Sequence, residues 1–326
     1  MNHLLRVDGA TVDYTTRHGA TRALDGANLT IAPGERVGLV GESGSGKSTL
    51  GLLVGRLLPA GARVGGTITV DGRDVLSLRP GDLRALRREV LGFVPQDPVG
   101  ALDPTLRVGR QMRLALRGSA GEDGNPADLL ERVRIDRPDR VLRLYPHEIS
   151  GGMAQRIVIA TVMAAAPRLL VADEPTAALD AQSREEVTGL VMDLAESEGT
   201  SVLWLSHDLR AVGRWCDRTA VMYGGRVVED GSTRAVLDDP RHPYTRALSR
   251  SDPAHAVPGR RLPAIVGGPP TLVAGAPGCA FAPRCPRAVA DCEGHRPLPL
   301  TVDGRTVLCL RPETETTVPS DVKAAS

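Results

Sequence analysis

Residues 4 to 32 alternate apolar and polar positions, with turn residues at Arg17-His18-Gly19 and Pro33-Gly34. A period of two broken by such turns predicts short antiparallel strands with one buried face. The segment Arg36-Val37-Gly38-Leu39-Val40 then runs into a glycine-rich turn, and a helix is expected from Lys47 onward. Further apolar runs at Leu91 to Val94, Leu169 to Ala172, Ser201 to Leu205 and Thr219 to Tyr223 read as buried strands separated by helical stretches. Strands alternating with helices define an α/β fold.

Residues 97 to 148 are mostly helical and polar in pattern around a loop from Gly118 to Pro126. They predict a helical subdomain, reaching to about residue 160, inserted between core strands. From about Ser249 the chain turns to proline, glycine and cysteine with little periodicity. Residues 251–312 are therefore expected to form a second, smaller unit after a first domain of residues 1–250. Residues 313–326 are expected to be a disordered tail.

A chain of 326 residues with 41% hydrophobic content can bury a sizeable core. Forty basic residues against 39 acidic ones leave a net charge of +1, which supplies no field for a polyanion and argues against a nucleic-acid ligand. The opening MNHLLRVDGATVDY lacks a basic segment followed by an apolar one, and no run approaches the roughly 18 apolar residues that span a bilayer. A cytosolic or peripheral protein is expected. Five cysteines fit that compartment if those near the end are ligands or free thiols.

Gly41-Glu42-Ser43-Gly44-Ser45-Gly46-Lys47-Ser48 matches G-x-x-x-x-G-K-[ST] between an apolar strand and a helix start. Gly41, Ser43, Gly44, Ser45 and Gly46 let backbone amides wrap ATP phosphates, and the helix N-terminus favours their charge. In this pattern Lys47 reaches the β and γ phosphates, Ser48 ligates Mg2+ and Thr49 completes the set; an ordinary glycine-rich turn is the competing reading. The strand Leu169 to Ala172 ends in Asp173 and Glu174, which suits Asp173 to hold the metal and Glu174 to polarise water. Without the phosphate loop these acids would read equally well as a plain strand end.

Ile149-Ser150-Gly151-Gly152-Met153-Ala154-Gln155-Arg156, some twenty residues before Asp173, resembles the signature of ABC ATPases. A serine hydroxyl and glycine amides at a helix start make an anion site with no nucleotide of its own nearby. The resemblance implies that Ser150, Gly151 and Gly152 act in trans on the nucleotide of a second cassette. It extends to Gln96 as the magnesium-sensing loop, sharing Mg2+ with Ser48 and Asp173, and to Ala178-Leu179-Asp180 as the D-loop. His207 resembles the switch histidine that works with Glu174, although a lone histidine after a strand is more commonly structural. Tyr14 lies where the family stacks an aromatic on adenine, with a packed strand tyrosine as the alternative. Ile149 replaces the usual leucine, and Met153 and Ala154 replace a glutamine and a basic residue, leaving Ser150 and the glycines in place.

Met153, Tyr145-Pro146-His147 and His242-Pro243-Tyr244-Thr245 resemble the oligopeptide, dipeptide and nickel importer ATPases, and so does the cysteine-bearing end. This implies a P-loop NTPase ABC fold with an N-terminal antiparallel β subdomain, an inserted α-helical subdomain and a small Cys-rich extension. It implies an ATP hydrolase working with a second, related cassette, two transmembrane permease subunits and an extracytoplasmic substrate-binding protein, at the cytoplasmic face of the membrane. Oligopeptides or dipeptides are the expected cargo; nickel, another small cargo or a soluble non-transport ABC role remain as alternatives. Closure of the two cassettes on ATP would be the power stroke, passed to the permeases by residues 96 to 108.

Cys279, Cys285, Cys292 and Cys309 are spaced x5, x6 and x16 in a polar segment, a plausible four-thiolate site whose bound metal would add folding energy. The paired C-x2-C knuckles usual for zinc are absent. The family resemblance favours a [4Fe-4S] cluster, with zinc, reduced thiols or disulfides left open. Cys216 reads as a buried small residue.

Overall fold

The computed structural model describes residues 3–16, 19–117, 124–177, 179–252, 263–270, 272 and 274–313. Arg17 and His18 of the first expected turn, most of the Gly118 to Pro126 loop, Ala178, and residues 314–326 of the expected tail lie outside the described residues.

Two sheets carry the fold. The first has the order β2-β1-β4-β5, all antiparallel: β1 (Leu5–Thr16), β2 (Gly19–Ile31), β4 (Arg63–Val70) and β5 (Arg73–Asp74). The short strands expected over residues 4 to 32 are instead two long ones of 12 and 13 residues. Breaks in the period mark bulges: the β1 register shifts between Val7 and Ala10, where Gly9 has φ +56°.

The second sheet has the order β11-β12-β10-β9-β3-β8-β7-β6. Its core is parallel: β3 (Arg36–Val40), β6 (Leu91–Val94), β7 (Leu169–Asp173), β8 (Ser201–Ser206) and β9 (Arg218–Tyr223). Every residue of β7 and β8 is buried, as continuous apolar runs in a sheet covered on both faces require. Alternate side chains serve two cores. Leu39, Val171, Leu203 and Leu205 pack toward the first sheet with α1 (Lys47–Val54) and α2 (Pro80–Glu89). Val40, Ala172, Val202 and Trp204 pack on the opposite side, in the core that also takes side chains of α3 (Val108–Leu116), α4 (Pro126–Arg132), α5 (Pro138–Val141), α6 (Gly151–Met163), α7 (Ala181–Glu198) and α8 (Leu209–Trp215). The helices α3 to α6 occupy the region read from sequence as an inserted helical subdomain.

Beyond β9 the chain turns back through β10 (Arg226–Ser232), α9 (Thr233–Asp238) and α10 (Pro243–Arg250), and later through α11 (Ala290–Gly294), β11 (Leu300–Val302) and β12 (Arg305–Val307). Composition sets this last part off as a separate unit, yet β12 pairs with β10 and extends the main sheet. Phe281 also joins the main core, with ring centroids 5.1 Å from Tyr223 and 5.4 Å from Tyr244. A few anchors suffice to attach an irregular segment, and compositional windows average them away. Among the described residues no helix is long and apolar enough to cross a membrane.

Candidate nucleotide site

The phosphate-loop motif lies between the end of β3 and the start of α1. Its glycines answer to sterics. A Cβ on Gly41 would stand 2.2 Å from the Met222 carbonyl oxygen, and one on Gly46, at φ +109°, 2.7 Å from that of Ala23. Lys47 is 5% exposed and donates from Nζ to the carbonyls of Gly41 (2.8 Å) and Glu42 (3.2 Å). Burial pulls its pKa down, and the charges of Glu174 and Asp173 oppose that shift.

Ser48 Oγ donates to Asp173 Oδ1 at 2.9 Å, joining the helix start to the end of β7. Burial raises the Asp173 pKa against the Ser48 hydrogen bond, and the neighbouring Glu174 raises it further. Glu174 follows β7 with φ +43°, a left-handed conformation uncommon outside glycine and concentrated at functional sites. Its amide donates to the Leu205 carbonyl at 3.0 Å, which fixes the turn. The carboxylate lies 3.8 Å from Lys47 Nζ, 3.2 Å from His207 Nδ1 and 3.5 Å from Gln96 Nε2. Gln96, Glu174 and His207 follow β6, β7 and β8, so adjacent parallel strands deliver them to the same carboxyl edge, where open α/β sheets place their ligands.

One cleft gathers Ser43, Gly44, Gly46, Lys47, Ser48, Thr49, Gln96, Glu174 and His207, together with Ala23, which the sequence reading lacked. Ser45 is buried under it, its hydroxyl unpartnered among the described residues. Tyr14 does not line the cleft; its ring packs on the first core while its hydroxyl donates to Thr49 Oγ1 at 3.2 Å. Ser150 caps α6 by accepting from the Met153 amide at 3.2 Å, and Asp180 caps α7 by accepting from the Ser183 amide at 3.0 Å. Ser150, Gly151 and Asp180 are exposed, and neither they nor Gly152 line this cleft.

The arrangement has known counterparts. Residues 24–177 match the ABC transporter family model, and residues 228–292 match that of the oligopeptide/dipeptide transporter C-terminal region. A putative peptide import ATP-binding protein of Brucella abortus is 41% identical over 312 residues, covering 94% of each chain. The chain belongs to the ABC transporter family. The oligopeptide transport ATP-binding protein OppD of Salmonella typhimurium is 37% identical over 319 residues, covering 96% of this chain and 95% of that protein. A dimeric ATP-binding cassette in a post-hydrolysis state with ADP and Pi superposes with a TM-score of 0.62 at 30% identity, covering 71% of this chain and 99% of that one. This ABC ATPase is therefore an ATP-hydrolysing transporter subunit of the cassette fold, built to take ATP with Mg2+.

In the C-terminal region of this ABC ATPase, Cys279, Cys285, Cys292 and Cys309 line a single small cavity with His242. Burial pushes the Cys279 and Cys285 thiols up, and Cys309 up to about 11. Backbone amides oppose this by donating to the sulfurs: those of Phe281 and Ala282 to Cys279, of Arg287 to Cys285 and of Arg311 to Cys309, the last at 3.3 Å. His242 Nδ1 accepts from the Tyr244 amide at 3.0 Å, and the buried imidazole also hydrogen-bonds the Leu308 backbone. Burial holds this imidazole neutral, with its pKa lowered to about 3. The four sulfurs share a cavity, but the expected metal site is not supported: no group of three or more His, Cys, Asp or Glu among the described residues is placed to hold a metal ion.

The sequence reading missed Arg284. Its guanidinium reaches back to Glu42, in the phosphate loop, with contacts of 2.7 and 3.1 Å. Glu42 in turn donates its amide to Tyr244 Oη at 2.9 Å. A Pro-Arg-Cys triplet in an irregular segment carries no local signal for a contact 242 residues away.

Proposed function

We propose that this chain binds and hydrolyses ATP to energise the import of oligopeptides or dipeptides. The convergence of Lys47, Gln96 and His207 on Glu174 in one cleft carries the hydrolytic part. Lys47 and the loop glycines hold the phosphates, Ser48, Asp173 and Gln96 hold Mg2+, Thr49 completes the ATP-binding set, and Tyr14, hydrogen-bonded to Thr49 outside the cleft lining, is the residue proposed for the adenine. Glu174 polarises the attacking water and His207 positions it, so that charge developing on the γ-phosphate meets fixed donors.

Ser150, Gly151, Gly152 and Asp180 act in trans. Their position away from the cleft, with Ser150, Gly151 and Asp180 exposed, supports a role at the nucleotide of a second cassette, which the dimeric relative also favours. Two permease subunits and an extracytoplasmic binding protein complete the machine, with this chain peripheral at the cytoplasmic face of the membrane. Residues 1–250 form the cassette, with its helical subdomain at about 97–160, and residues 251–312 the Cys-rich extension. The names of the relatives supply the peptide cargo.

The four cysteines are proposed to hold a [4Fe-4S] cluster. Thiolates on one zinc ion at about 2.3 Å must crowd together, whereas a cluster spreads its ligands over several irons. The shared cavity and the amides aimed at the sulfurs support a cluster held by these four thiolates. A bound cluster would supply folding energy to a segment poor in apolar residues.

The test is reconstitution of the full complex in vesicles with its binding protein. Peptide-loaded binding protein should raise ATP turnover and nickel should not; the reverse would move the cargo to metal. Anaerobic purification of the chain should yield about four irons and matching sulfide, and an iron-free, active protein would remove the cluster.

A further inference from the structure

The phosphate loop of this protein contains an acid. Glu42 lies between Gly41 and the cleft-lining Ser43, and an uncompensated carboxylate there opposes the charge of bound phosphates. The C-terminal segment supplies the compensation. The Arg284 side chain is 7% exposed and uses its whole fork: Nη1 to Glu42 and Tyr223 Oη (3.3 Å), Nη2 to Glu42 and the Ile265 carbonyl (3.3 Å), and Nε to the Val266 carbonyl (2.8 Å). Such a two-point guanidinium–carboxylate pair fixes orientation as well as charge. A short 3-10 turn, Ala282–Arg284, presents Arg284 between Cys279 and Cys285, and Phe281 anchors that turn on Tyr223 and Tyr244. A second arginine of the same segment also reaches the cassette: Arg296 Nη2 lies 2.6 Å from Asp25, which Arg22 and Arg226 already hold at 3.0 Å.

We propose that Arg284 is a positioning residue for ATP binding: it neutralises Glu42 and draws that carboxylate away from the phosphates, so that the C-terminal segment completes the nucleotide site of the cassette. This rests on the reading that residues 41–48 hold the ATP phosphates. Catalytic groups do not touch Arg284, so its influence falls on ATP affinity more than on turnover at saturation.

The experiment measures ATP affinity by calorimetry and KM against kcat in the full chain, with the thermal midpoint as a check on folding. Arg284→Met should weaken ATP binding about tenfold, the scale on which one nearby charge alters a neighbour's equilibrium, with KM rising more than kcat falls. Adding Glu42→Gln to that variant should recover most of the loss, because the charge left uncompensated is then gone. A contact that merely holds the fold predicts the opposite: no recovery on adding Glu42→Gln. That outcome, or wild-type affinity in Arg284→Met, would overturn the proposal. If Arg284→Met does not fold, Arg284→Lys replaces it, with a smaller loss that Glu42→Gln must again erase. Lys47→Ala separates the two readings: loss of ATP binding there, with none in the Arg284 variants, sinks only the role of Arg284, whereas retained binding sinks the phosphate site itself.

Discussion

His207 Nδ1 stands 3.2 Å from Glu174 Oε2, and the two residues arrive from the ends of adjacent parallel strands, β8 and β7. Glu174 is held in a left-handed backbone conformation by the hydrogen bond its amide donates to the carbonyl of Leu205, itself on β8. The β7–β8 register therefore sets the distance between them.

Removing the charge of that carboxylate should stop chemistry while sparing binding. Glu174→Gln is expected to lower ATP turnover by about 10²- to 10⁴-fold, the usual range for a general base. ATP affinity should stay close to wild type. Single-turnover hydrolysis beside equilibrium binding checks this, and a loss under tenfold would assign the water-polarising role elsewhere.

Gly38 sits on β3 where a Cβ would approach Val212 Cγ1 to 2.4 Å and Cys216 Sγ to 3.3 Å. Gly38→Ala overpacks the contact between β3 and α8 and should cost about 1–3 kcal/mol. Urea unfolding measures it. An unchanged midpoint would mean that α8 yields freely.

Tyr244 is fully buried, and its hydroxyl is the acceptor for the Glu42 amide. Tyr244→Phe keeps the tilted and edge-on ring contacts with Tyr223 and Phe281 but leaves that amide short of a partner, at a cost of about 1–3 kcal/mol. Hydrogen exchange at Glu42 should accelerate in the variant, and unaltered exchange would argue that another acceptor takes over.

Burial pushes the Cys216 thiol up to about 12, with Asp217 adding to the shift and Arg36 opposing it. Its folded pKa thus exceeds the unfolded value of 9.0, so the contribution to stability is complete below pH 9 and is lost as pH rises toward 12. At pH 8 the native protein should resist iodoacetamide at Cys216, while the urea-unfolded chain should be alkylated there. Peptide mapping by mass spectrometry reads both, and rapid native labelling would refute the burial.

Local chemistry was legible wherever a motif performs its task within a few residues. The spacing from Gly41 to Ser48 specifies a strand, a phosphate loop and a helix start, and the structure places them so. The apolar runs from Leu169 and Ser201 specify fully buried strands because a sheet covered on both faces allows little else. Sequence period could not show that Gly9 and its neighbours form bulges in long strands, since a bulge and a turn both interrupt the alternation.

What the chain determined by itself was therefore its list of motifs, its fold class and its family. Tertiary structure alone decided that β12 joins the main sheet beside β10, that four cysteines share one cavity and that Arg284 reaches Glu42. Each of these joins segments far apart in sequence. Residue spacing governs contacts within a strand or a helical turn, whereas pairing between distant segments depends on how the packed core brings their surfaces together.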